Sequence, residues 1–136
     1  MPPLHPIVVH FPIALLPLGL LLELLAFRRV SSTFSRAGWI VQVLGTAALL
    51  AATGSGLLAS AGVVPGREAV PLTLQNHQQL AFGADAVFAL LLLWRIGTRT
   101  RLPPRHDVWY LALYAVGVLL LAGAGLYGGE VGYQLG

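Results

Sequence analysis

Apolar residues in this chain fall into four long runs, not into the alternation of strands or the one-sided stripes of soluble helices. The runs cover about residues 7–27, 37–62, 78–96 and 108–128. A helix needs about 20 apolar residues to cross the hydrocarbon core, with about 17 as the lower limit. Each run is long enough, the third by the smallest margin. The joints between them are rich in turn-forming and polar residues: Ser31, Ser32 and Thr33 in the first, Pro65, Gly66 and Pro71 in the second, Pro103 and Pro104 in the third. The pattern predicts an all-α protein, a single-domain four-helix bundle that spans a membrane.

Composition agrees. Of 136 residues, 57% are hydrophobic and 10% charged; there is no Lys, and only five residues are acidic. That is too little polar surface to face water all round, so lipid is the solvent that fits. The absence of Cys excludes disulfides, thiolate metal sites and iron–sulfur clusters carried on this chain.

Charge placement adds an orientation. All eight basic residues are Arg, and seven lie in two zones: Arg28, Arg29 and Arg36 after the first run, then Arg95, Arg99, Arg101 and Arg105 from the end of the third run onward. Clusters of this kind mark cytoplasmic joints rather than a nucleic-acid surface, so no nucleic-acid partner is expected. Both termini and the joint at 63–75 are then extracytoplasmic. The first run lacks a positive leader and is long for a signal core, so it is expected to stay as a span.

This orientation gathers chemistry-bearing residues at the outer face. His5 and His10 stand at the start of the first span, His77 at the start of the third, and Glu130 and Tyr133 beyond the end of the fourth. His106 falls on the cytoplasmic side beside Asp107. Asn76-His77-Gln78-Gln79 reads as a helix start, with Asn76 as cap and Gln79 reaching back, which would favour a neutral His77 in the first turn. Pro12 and Pro17 each remove a backbone donor inside the first span. A kinked segment there could turn His5 and His10, roughly 140° apart on an ideal helix, toward a common point.

Deeper in the bilayer, Asp85 is an intramembrane carboxyl, a functional candidate in its own right, with Thr53 and Ser55 expected at similar depth to hydrogen-bond it. Helix glue is the plainer role for that group. Glu23, near the cytoplasmic end of the first span, is expected to pair with an Arg. Gly54, Gly56, Gly123, Gly125, Gly128 and Gly129 suit close helix packing, and such faces would also suit a homodimer.

The opening Leu4-His5-Pro6-Ile7-Val8-Val9-His10-Phe11-Pro12-Ile13-Ala14-Leu15-Leu16 resembles that of a family of small bacterial four-helix membrane proteins of unknown function, marked by an HPxxVHFPI-type start. Thr53-Gly54-Ser55-Gly56, His77 and Gly128-Gly129-Glu130 resemble the family's later landmarks, so the layout is similar along the whole chain. The resemblance implies a bacterial inner (plasma) membrane location. Some relatives are joined to Rieske iron–sulfur domains, which implies company with electron transfer and a Rieske-type redox partner.

Three functions follow. The first is a haem b protein of electron transfer, with His10 and His77 as axial ligands, His5 as the alternative to His10, and Arg67 for the propionates. The second is a Zn, Cu or Fe site built from His5, His10, His77 and Glu130, though no short ligand spacing marks it. The third is a cofactor-free structural or partner-binding subunit. No GxSxG, Walker or Rossmann pattern is present, so a redox or binding role is expected over hydrolysis.

Overall fold

In a computed structural model, described for residues 4–29, 32–61, 72–98 and 104–135, the chain is helical almost throughout. The elements are α1 (Leu4–Val8), α2 (His10–Arg29), α3 (Ser32–Ala61), α4 (Leu72–Gly97) and α5 (Pro104–Leu135). α1 and α2 together make the first span. Four helices are long and apolar enough to cross a membrane: His5–Arg29, Ser32–Leu58, Leu72–Gly97 and Val108–Glu130.

The break between α1 and α2 has a covalent cause. Pro12 has no N–H, so the Val8 carbonyl loses the donor four residues on, and regular helix stops at Val8. Val9 bridges the gap, its N–H still reaching the His5 carbonyl at 3.1 Å and its own carbonyl accepting from Ile13 at 3.4 Å. α4 begins at Leu72, more than a turn before the expected cap at Asn76. Nothing in Leu72-Thr73-Leu74-Gln75 interrupts a helix, whereas Pro71 before it does. Asn76 is therefore interior to the helix and exposed, and His77 stands in the second turn.

The helices form a ring in chain order. α2 packs chiefly on α3 and α4 chiefly on α5, giving two helical hairpins; lighter contacts of α2 with α5 and α3 with α4 close the ring. With four antiparallel spans, the start of α1, the end of α3, the start of α4 and the end of α5 share one end of the bundle. The core between the hairpins holds Leu16, Leu49, Ala84, Phe88, Leu91, Tyr110, Tyr114 and Leu121. The outer surface carries Leu, Ile, Phe and Val side chains, among them Leu58, Leu93, Leu119 and Leu126, as lipid contact requires.

Candidate functional site

His5 and His77 meet at the end of the bundle where α1 begins. Their ring centroids lie 6.2 Å apart, with the ring planes at 85°. Each ring is held from behind by a backbone carbonyl. The His5 Nδ1 is 3.1 Å from the Ala52 carbonyl of α3 and 3.0 Å from the Ser55 hydroxyl, which itself donates to Ala52 at 2.8 Å. The His77 Nδ1 is 2.7 Å from the Ala124 carbonyl of α5. A carbonyl oxygen only accepts, so Nδ1 carries the proton in both rings. In the neutral imidazoles Nε2 is then left with its lone pair. A helix carbonyl already engaged along its own helix can accept this second bond, because it has two lone pairs.

Two glycines make room for the rings. A Cβ on Gly56 would lie 2.9 Å from the His5 Cε1, and one on Gly128 would lie 3.0 Å from Cε1 and 3.1 Å from Nδ1 of His77. A Cβ at Gly56 would be closer than Cβ atoms come to other heavy atoms, and one at Gly128 tighter than nearly all such contacts, so a methyl at either position would press on the imidazole. Gly54 and Gly129, one or two residues away, would meet nothing within 4 Å. The four landmarks of the sequence, His5, Ser55-Gly56, His77 and Gly128, thus converge on one pair of rings.

The other candidates lie elsewhere. His10 is exposed, and its Nδ1 turns back to the Pro6 carbonyl of its own segment. The break at Val9 does not bring His5 and His10 to a common point: one faces the bundle, the other faces out. Glu130 is exposed. Among the described residues, no group of three or more His, Cys, Asp or Glu is placed to hold a metal. Arg67 and the side chains of His106 and Tyr133 lie outside the described residues.

Asp85 is half-buried on α4, and the Thr53 hydroxyl of α3 lies within hydrogen-bonding reach of its carboxyl, as expected. Its Oδ1 is buried without a hydrogen-bond partner. Ser55 turns to His5 instead.

A second polar cluster, at the opposite end, was only partly legible. Glu23 of α2 and Arg95 of α4 form an ion pair across the centre of the ring, 6% and 1% exposed. Arg95 also donates to the backbone carbonyl and the hydroxyl of Ser35, both at 2.9 Å. Its guanidinium stacks against Trp39 at 5.4 Å and Tyr110 at 5.7 Å. The Tyr110 hydroxyl donates to the Gln42 side-chain carbonyl across the other diagonal. The expected Glu23–Arg pairing is present. Arg95, however, is no joint residue: it lies inside the bundle, paired with Glu23. One signal pointed to it, since Arg95 stands between Trp94 and Ile96 inside the third apolar run, and Glu23 offered the matching charge. Nothing in the sequence singled out Gln42, Tyr110 or Tyr114.

The fold and this site define a four-span helical membrane protein with a pair of inward-facing histidines near one end. The match that places it among known proteins runs the full length, residues 1–136: the chain belongs to the DUF2231 family of predicted membrane proteins. No curated protein and no solved structure matches it.

Proposed function

We propose that the protein is a membrane haem b protein of electron transfer, in which His5 and His77 would hold the haem near the extracytoplasmic face. One observation carries this reading: two imidazoles from different helices, each fixed through Nδ1 by a backbone carbonyl, approach with both Nε2 atoms left to bind. Ligating histidines characteristically donate the other ring nitrogen in this way, which fixes tautomer and orientation. The two ring centres lie 6.2 Å apart with their planes at 85°, near enough for both imidazoles to belong to one site.

Two protein ligands favour haem over a bare ion. A structural zinc needs four ligands, and the described His and carboxylate groups supply a pair. Haem iron, held in its own macrocycle, would ask only the two imidazoles of the protein. Bound there, haem would supply a one-electron couple. The chain's part is to hold the two rings through the Ala52 and Ala124 carbonyls, to leave space at Gly56 and Gly128, and to bury the site in a bundle. The class of partner this implies is a one-electron carrier at the same face, such as a Rieske-type iron–sulfur protein. The location it implies is the bacterial inner membrane, with the arginine joints in the cytoplasm.

The test is the visible spectrum of protein purified from haem-replete cells. A sharp Soret band is expected, lost in His5→Ala and in His77→Ala and kept in His10→Ala. Colourless protein with stoichiometric Zn, Cu or Fe would replace haem by the single-ion reading. Colourless, metal-free protein would leave a structural or partner-binding subunit. Orientation is read separately: because the chain has no Cys, Glu130→Cys in whole cells should react with a membrane-impermeant maleimide added outside.

A further inference from the structure

We infer that the concavity at the start of α3 seats the headgroup of an anionic phospholipid, whatever the histidines at the other end bind. α3 presents two lines of side chains. Ser35, Trp39, Gln42 and Thr46 turn into the bundle: Ser35 and Trp39 meet Arg95, and Gln42 and Thr46 are buried. Ser32, Arg36, Ile40 and Leu44, four apart on a second line, are exposed. A cavity of about 320 Å³ opens on this second face, lined among the described residues by Ser32, Thr33, Arg36, Ala37 and Ile40. That volume is at the lower end of the ~300–1,000 Å³ usual for small-molecule sites.

The charge at this face has no answer within the chain. Arg36 is the fifth residue of α3 and lies inside the membrane-spanning stretch Ser32–Leu58. A guanidinium rooted on the lipid side of a span reaches for the interface or for a counter-ion. Among the described residues, Arg36 makes no ion pair or hydrogen bond. From Leu20 to Ala61 the only acid is Glu23, which is buried against Arg95. Asp107, the other acid at this end, belongs to α5, diagonal to α3 in the ring. Arg28 and Arg29, exposed at the end of α2, add charge of the same sign.

A phospholipid supplies what is missing, in matching order. Along the face come the hydroxyls of Ser32 and Thr33, then the Arg36 cation about 6 Å further on, then apolar Ala37, Ile40 and, about 18 Å from Ser32, Leu44. A lipid runs likewise from phosphate to acyl chain. A guanidinium meets phosphate oxygens with two parallel N–H donors, and the hydroxyls can donate to the oxygens that remain. Three arginines on one helical hairpin favour a headgroup of net negative charge over a zwitterionic one, whose own ammonium already offsets its phosphate.

Lipid retention by the full-length protein tests this. Native mass spectrometry from detergent is run with added phosphatidylglycerol or phosphatidylcholine of the same acyl chains. Wild type should retain a single phosphatidylglycerol at a several-fold lower lipid concentration than it needs for phosphatidylcholine. Arg36→Gln should abolish that preference, and Arg36→Lys, which keeps the charge but not the paired donors, should keep part of it. Arg28→Gln removes the same charge from the same end but outside the cavity, and should leave the preference in place. Arg36 is exposed, so its variants should fold, and their helical circular dichroism checks this. Inorganic phosphate at millimolar concentration should not displace the lipid, because it offers nothing to Ile40 and Leu44. Equal retention of the two lipids by wild type, an equal loss in Arg28→Gln and Arg36→Gln, or displacement by inorganic phosphate overturns the inference.

Discussion

Replacing Glu23 by Leu removes one half of the ion pair that crosses the bundle centre and leaves the other half in place. Arg95 is 1% exposed, so it cannot turn out to water without leaving the core. The Ser35 carbonyl and hydroxyl, and the faces of Trp39 and Tyr110, contact it in both proteins and do not replace the lost charge. Breaking a buried pair from one side costs about 3–5 kcal/mol, a large share of the roughly 5–15 kcal/mol that keeps a domain folded. Removing both charges is different. In Glu23→Leu/Arg95→Leu no charge remains to be desolvated, and well-packed apolar replacement of a buried pair is often neutral or stabilising by about 1–4 kcal/mol. The expected order is therefore double variant near wild type, single variant far below. The assay is reversible unfolding in mixed micelles by added SDS, followed by tryptophan fluorescence. Trp39 lies against the Arg95 guanidinium and Trp94 against Tyr110, with ring centroids 6.0 Å apart in the second pair. Both therefore report on this region directly. A loss below about 1 kcal/mol in Glu23→Leu, or a double variant no better than the single, would refute the assignment of Arg95 as a charge buried and dependent on Glu23.

Other predictions follow from the same contacts. Gly56→Ala and Gly128→Ala should each displace an imidazole and lower haem occupancy several-fold, whereas Gly54→Ala and Gly129→Ala, whose added methyls meet nothing, should bind as wild type; the haem-to-protein absorbance ratio distinguishes them. Tyr110→Phe strands the Gln42 side chain in the core and should cost about 1–3 kcal/mol in the SDS titration. Tyr114→Phe deletes a buried hydroxyl that has no partner and should be neutral or stabilising by about 1 kcal/mol. Gly38→Ala should destabilise, since its Cβ would lie 3.0 Å from the Glu23 carboxyl carbon and push the anion off Arg95.

Much of the architecture is legible in the chain itself, and the reason is local. Hydrocarbon demands that each span satisfy its own backbone and present apolar side chains, so four runs of sufficient length mean four helices whatever their packing. Prolines act over a single turn, which is why Pro12 announced the break at Val9. Helix ends were less legible: α4 starts at Leu72 because polar Gln75 and Asn76 are as compatible with an interfacial helix as with a cap. Which residues face inward was not local at all. His5 and His10 are five residues apart with the same chemistry. Only the packing of α1 against α3, which presents the Ala52 carbonyl and the open face of Gly56, turns one into the bundle and leaves the other outside. Similarly, Arg95 looked like the first residue of a basic joint until α2 brought Glu23 to it across the ring. The chain by itself determined its solvent, its element number and the stock of rare polar groups. Tertiary structure decided which of those groups meet, because a contact between helices depends on rotation and register that no single helix carries.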